Sequence, residues 1–256
     1  MNAPAFKIPE PRTPLEHAAA AIGWHPSSLR ELVSFAGWAA ERQATEFAQT
    51  DWLARLTEEV VEREAARCIK AIGPMAAKEL PSKDVAAKIK APALRAAAAS
   101  YAGSAALLLG KTEVGKTLTA LLMARKAAAE AERDRLRACR AENLYQICQS
   151  RDRTKLHVAW VSCAELARLV ANQSFGREAP EVEQAKRAPI AVLDDLTWCQ
   201  NDKPLIEIIA YRYDHGLPTI STAGATRNEL VKRFGDAVMR RLIECRGAKG
   251  VIVESF

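Results

Sequence analysis

The chain is poor in the residues that hold transition metals. Of its 256 residues only 4 are histidine and 6 are cysteine. None of the cysteines (Cys68, Cys139, Cys148, Cys163, Cys199 and Cys245) falls in a C-x-x-C pair, so the ligand spacing of a zinc site is missing. No stretch approaches the ~18 consecutive apolar residues of a membrane-spanning helix. The opening residues, MNAPAFKIPEPRTP, have no apolar core that could serve as a signal peptide. A reduced, cytoplasmic protein with no membrane partner is the expectation. Charge of one sign is not in large excess either. A formal net charge of +6 permits a nucleic-acid partner without demanding one.

What is present is an ordinary globular balance, with 49% apolar and 27% charged residues. The length suits one large domain or two unequal ones. Residues 1–13 carry three prolines and little apolar periodicity, and read as a flexible tail. Residues 14–70 are rich in Ala, Glu, Arg and Leu and poor in Gly, the composition of helices. Ser28 and Glu31, after Pro26, have capping-box spacing. Trp24, Trp38 and Trp52, equally spaced, read as anchors of a small helical core. Gly73, Pro74, Pro81 and Pro92 punctuate the next segment, which marks a boundary region. The expected division is a helical domain over 14–91 and a second domain over 92–256, opened by a short helix at about 92–101.

From Ser104 the texture changes. Short apolar runs at 105–109, 156–161, 190–193, 217–222 and 250–254 alternate with helical segments, the rhythm of an α/β protein with a mostly parallel sheet. A long helical stretch over 116–150 separates the first two runs. Within it and just beyond, Arg125 to Lys155 hold nine basic and five acidic residues, a net of +4. Such a stretch is either a solvated face laced with ion pairs or an arm that faces phosphates.

Gly110-Lys111-Thr112-Glu113-Val114-Gly115-Lys116-Thr117 matches G-x-x-x-x-G-K-T, with a strand-like run before it and a helix opening at Leu118 after it. Glycines let the backbone close around a polyphosphate, and successive N–H groups and the positive end of the helix face the anion. Residues 110–118 are therefore the expected ATP-binding segment. Lys116 would reach the β- and γ-phosphates and the Thr117 hydroxyl would ligate Mg2+. Glu113 stands where this loop often has glycine, and its acid adds negative charge near phosphate. The run Ile190-Ala191-Val192-Leu193-Asp194-Asp195 is a buried strand ending in two carboxylates. Asp194 would hold Mg2+ through water, and Asp195 would orient or deprotonate the attacking water. Ser162 and Glu165 have capping-box spacing at the start of another helix.

Residues 104–256 resemble the AAA+ ATPases of the DnaC helicase-loader and IstB transposition-helper group. The resemblance is carried by the P-loop with Val114-Gly115-Lys116-Thr117, by His157–Leu166, by Leu193-Asp194-Asp195-Leu196, by Ile208–Tyr213, by Leu217–Thr222 and by Gly235–Leu242. It implies a three-layer α/β P-loop core of five parallel strands, with another strand inserted between the P-loop strand and the strand of Asp194, and without a C-terminal helical lid. It implies an arginine acting in trans on a neighbouring subunit's nucleotide, Arg241 with Arg240 the alternative, and hence a homo-oligomer formed on ATP binding. It implies a replicative helicase or transposase-type protein docking on residues 14–91, and single-stranded DNA as a further partner. The 125–155 stretch and Arg227, Lys232, Arg233, Arg240, Arg241, Arg246 and Lys249 would supply the DNA phosphate contacts. The group's γ-phosphate-sensing Asn is missing: the stretch reads Ser221-Thr222-Ala223-Gly224, and Thr222 or Ser221 would have to substitute as donor. A small-molecule P-loop kinase would need an arginine-rich lid after the second motif, and none is seen.

Overall fold

The computed structural model describes residues 61–62, 65–66, 72–74, 77, 80–137, 158–171, 179–199, 201–245 and 248–256. Expectations for the tail, the three tryptophans, the Ser28 cap and most of residues 14–70 and 138–157 lie outside these. The chain divides into two compact units, residues 1–66 with 132–151 and residues 67–131 with 152–256. The expected boundary at 91/92 falls inside the larger unit. In the smaller one, Val61 and Ala65 are buried, Arg133 forks onto Glu62 through Nε at 2.6 Å and Nη2 at 2.9 Å, and Arg135 pairs with buried Glu132.

The larger unit opens with α1 (Ser82–Lys88) and α2 (Pro92–Ser100). Pro92 at the first turn of α2 needs no N–H partner and presets the helical φ. Strand β1 (Ala106–Gly110) leads through the P-loop into α3 (Lys116–Arg137). Then come β2 (Val158–Ser162), α4 (Cys163–Ala171), α5 (Pro180–Arg187), β3 (Ile190–Asp194) and a 3-10 turn (Leu196–Trp198). They are followed by α6 (Asp202–Asp214), β4 (Thr219–Ala223), α7 (Arg227–Phe234) and α8 (Asp236–Ile243). A two-residue pair, β5 (Glu244–Cys245) and β6 (Ala248–Lys249), precedes β7 (Val251–Ser255).

The five longer strands form one parallel sheet in the order β2-β3-β4-β1-β7. The apolar runs are continuous because both faces are covered. Alternate residues supply two cores. Leu108, Val158, Ile190, Val192, Ile220 and Val253 pack with α1, α2 and α3. Leu107, Leu109, Val161, Leu193 and Ala223 pack with α4 to α8. The expected three-layer architecture is present. So is the inserted strand: β4 lies between β1 and β3.

One tie was not foreseen. Arg212 of α6 is fully buried and donates to the carbonyls of Ala185, Ala188 and Pro218 and to Thr219 Oγ1. Burial lowers its pKa to about 10, and the ring of acceptors compensates the desolvated charge. The end of α5 and the entries of β3 and β4 are thereby held to one side chain. Among the described residues, no helix is long and apolar enough to cross a membrane.

Candidate functional site

The P-loop turns where β1 runs out at Gly110. A Cβ on Gly110 would stand 2.2 Å from the Ser255 carbonyl oxygen of β7, and the Lys111 N–H donates to that same oxygen at 3.2 Å. Gly115 has φ +106, and its Cβ would meet Ile89 Cα at 2.9 Å. Both positions require glycine for close approach. The loop crest is tied to the segment before α2: the N–H groups of Lys90 and Ala91 donate to the Val114 carbonyl at 3.2 and 3.3 Å. Val114 and Leu118 pack on the core, whereas Lys111, Thr112 and Glu113 are exposed.

Glu113 adopts φ 67, a left-handed conformation that favours glycine. Its carboxylate turns to solvent, 3.5 Å from Lys90 Nζ, with both side chains more than 70% exposed. Glu113→Gly removes both the strain and the screened negative charge. About threefold tighter binding of Mg·ATP is expected, with a larger gain at low salt. Calorimetric titration at two salt concentrations checks this; equal affinities would show that the carboxylate is not felt at the phosphate site.

Lys116, at the start of α3, bends back across the loop. Its ammonium donates to the Gly110 carbonyl at 2.8 Å and the Lys111 carbonyl at 2.7 Å. Burial lowers its pKa, while Asp195 and then Asp194 pull it upward. Thr117 Oγ1 donates to Asp194 Oδ1 at 3.0 Å, joining the first turn of α3 to the end of β3. β4 itself adds Thr222, whose hydroxyl donates to the same Asp194 oxygen at 2.8 Å and accepts the Asp195 N–H at 2.8 Å. Asp195 stands at φ 62, a conformation that Asp tolerates better than most residues and that recurs at functional sites. Its pKa is raised first by burial and then by Asp194, against the opposing pull of Lys116 and of hydrogen bonds from Thr197.

The donors fit the groups the sequence implies. Hard oxygens of Thr117 and Asp194 converge at 3.0 Å, beside a loop that Gly110 and Gly115 allow to pack closely on Ser255 and Ile89. Among the described residues no group of three or more His, Cys, Asp or Glu gathers to cage a metal. Hydroxyl and carboxylate oxygens are the ligands that Mg2+ takes alongside substrate phosphates.

The arginines expected to act on a neighbouring subunit or on DNA stand outside this group. Arg241 is half-buried, its guanidinium 5.9 Å above the Tyr213 ring, and its Nε finds no hydrogen-bond partner among the described residues. Arg240 is 62% exposed, with Glu244 at 3.9 Å. Arg233, expected to contact DNA phosphates, braces the turn after Asp195: it donates to the carbonyls of Thr197 and Cys199 and forks onto Asp202. In the basic stretch, Arg125 is buried on the Leu80 and Ala77 carbonyls, Lys126 reaches the Ala99 carbonyl, and Arg133 and Arg135 hold carboxylates. Within 125–137 the ion-pair reading fits Arg133 and Arg135 but not Arg125 and Lys126, which are used on backbone carbonyls; the remainder of the stretch, like Arg246, lies outside the described residues. Sequence reasoning missed the bracing by Arg233 and by Thr197, whose Oγ1 accepts the Gly224 N–H at 2.7 Å. No pattern in the sequence signals either.

No family model matches the chain, and no curated protein matches it. Among solved structures it is similar to the DnaC helicase loader, at 20% identity and a TM-score of 0.41, covering 63% of this chain and 85% of that one. It is similar to a putative primosome component from Streptococcus pyogenes serotype M3, at 20% identity and a TM-score of 0.40, covering 63% and 75%. It is also similar to DnaI, at 19% identity and a TM-score of 0.40, covering 68% and 90%.

Proposed function

We propose that this chain is a Mg2+-dependent ATPase that works as a DNA-associated switch, with replicative helicase loading its role. The observation that carries the reading is the Thr117–Asp194 contact at 3.0 Å, which brings two motifs from non-adjacent strands to one point beside Lys116 and Asp195. Residues 110–118 bind the nucleotide, with Lys116 giving its proton donors to phosphate oxygens in place of the loop carbonyls. Mg2+, when bound, neutralises charge on the β- and γ-phosphates. Thr117 and Asp194 hold the metal. Asp195 orients the attacking water and takes its proton. A guanidinium from a neighbouring subunit, Arg241 or the more exposed Arg240, stabilises charge that develops at the γ-phosphate. Residues 14–91 dock the helicase, and single-stranded DNA binds the ATP-loaded homo-oligomer. A transposition helper of the same build is the alternative role.

A second reading is an ATP-binding scaffold with little turnover. The strained Glu113 and the absence of the group's sensing Asn favour it. ATP hydrolysis per subunit, measured against protein concentration with and without single-stranded DNA, separates the two. A rate that climbs with concentration and DNA, and flattens in Arg241→Ala or Arg240→Ala, supports the oligomeric switch. A negligible, concentration-independent rate beside measurable ATP binding overturns it in favour of the scaffold.

A further inference from the structure

A hydroxyl carries one proton, and in Thr222 that proton has only one place to go. The Asp195 amide can only donate, so its 2.8 Å contact occupies a lone pair of Thr222 Oγ1. The proton must therefore point at Asp194 Oδ1, 2.8 Å away. The residue is 1% exposed, so bulk water does not compete for either bond. The same carboxylate oxygen receives Thr117 at 3.0 Å, which leaves Asp194 with hydroxyls from the first turn of α3 and the end of β4 on one oxygen. The adjacent Ser221 cannot stand in. Side chains alternate across a strand, and the buried Ser221 hydroxyl has no hydrogen-bond partner among the described residues.

We propose that Thr222 is a positioning residue, which sets the rotation of the Asp194 carboxylate for the metal and holds the backbone of Asp195 in its left-handed turn, rather than a donor to the terminal phosphate of the nucleotide. The inference rests on the ATPase reading and deepens it. A deprotonated phosphate oxygen needs a donor, and the one proton Thr222 has is already used on a charged acceptor, the stronger kind of hydrogen bond. Thr197 supports the arrangement from the other side, because its bond from Gly224 N–H fixes the exit of β4 to the turn that carries Asp195.

The test compares wild type, Thr222→Ser and Thr222→Val by titrating Mg2+ into the full chain with a fluorescent ATP analogue, beside analogue affinity in EDTA. Valine keeps the shape and strand preference of threonine but strips a buried carboxylate oxygen and a buried amide of one partner each. The Mg2+ concentration at half-saturation should rise about tenfold in Thr222→Val. Metal-free affinity should stay within about twofold, and serine should restore the Mg2+ midpoint, since it returns the same donor and acceptor. Thr222→Cys, a weak donor of similar size, should give an intermediate midpoint and keeps the test open if the valine variant does not fold. An unmoved Mg2+ midpoint in Thr222→Val, or a loss confined to metal-free affinity, would overturn the assignment. So would a serine variant as impaired as valine. If wild type itself binds no analogue, and matches Lys116→Ala in this, the ATPase reading fails and the inference with it. If wild type binds and only the Thr222 expectations fail, the ATPase reading stands.

Discussion

Lys116→Ala loses Mg·ATP. Affinity should fall about 100-fold, because the ammonium is the charged group that bridges the loop at 2.8 and 2.7 Å and each hydrogen bond it would transfer to phosphate is charge-assisted. The fold should not suffer. Burial lowers the Lys116 pKa from its ordinary 10.5, with Asp195 and Asp194 only partly restoring it, so the folded protein tolerates the ammonium less well than the unfolded chain does. That penalty is present at neutral pH and fades only as pH rises through the folded value toward 10.5. Alanine removes it. The variant should melt without nucleotide at the wild-type temperature or above. The rise in Tm that Mg·ATP gives wild type, worth about 2.7 kcal/mol at 100 times Kd, should disappear. A variant that keeps its nucleotide-induced rise would remove this loop from the nucleotide site; one that melts early without ligand would make the lysine a fold residue.

Asp195→Asn separates turnover from binding. An amide cannot accept the proton of the attacking water, and removal of a general base lowers kcat by about 100-fold or more. ATP affinity should change by less than about threefold, since Thr117, Asp194 and Lys116 are untouched. Stability moves the other way. Burial and Asp194 raise the Asp195 pKa above its ordinary 3.8, against Lys116 and Thr197. A raised carboxyl pKa destabilises the folded state wherever the group is ionised, and the loss vanishes as pH falls through the folded value to below 3.8. The asparagine variant should therefore melt above wild type at pH 7, with the gap closing toward pH 4. Melting curves across that range, with single-turnover hydrolysis, check both halves. Equal turnover in the two proteins would place the base elsewhere. A variant melting below wild type at pH 7 would mean that the carboxylate is a structural partner.

The parts of this architecture that depend on local chemistry were legible before any coordinates. All five strand runs appear within two residues of where apolar texture placed them, α2 spans Pro92–Ser100, and Lys116, Thr117, Asp194 and Asp195 meet as their motifs imply. A parallel sheet covered on both faces leaves continuous apolar runs, and a phosphate loop leaves fixed spacing; both write themselves into consecutive residues. What was not legible depends on partners far apart in the chain. Arg212 and Arg233 look in the sequence like any other arginine on a helix. Only the fold shows that one is ringed by carbonyls from α5 and the loop before β4, and the other by the turn after Asp195. In sequence, Thr222 and Ser221 are equal candidates to replace the missing sensing Asn of the resembling group. The bonds of Thr222 to Asp194 and Asp195 come from the register of β3 against β4, Leu193 beside Ser221, which no local pattern carries. The αL backbone of Glu113 shows the same limit in reverse. The motif flags the missing glycine, and the structure shows the acid accepting the strained φ and turning outward.

The inserted position of β4 bears on how such a chain is made. Synthesis delivers the P-loop at 110–117 first and Asp194 later, but the strand that will separate and align them, Thr219–Ala223, follows both, and the β7 neighbour of Gly110 ends only at Ser255. A growing chain that has released both motifs still has no pocket, because β1 and β3 share no edge of their own and need β4 between them. Pairings this distant in sequence close late in folding. On the proposed reading, nucleotide would therefore not rescue a half-made molecule and would bind only one whose sheet is closed from β2 to β7. Bound nucleotide would, on that reading, also mark the chains that have finished assembling this sheet.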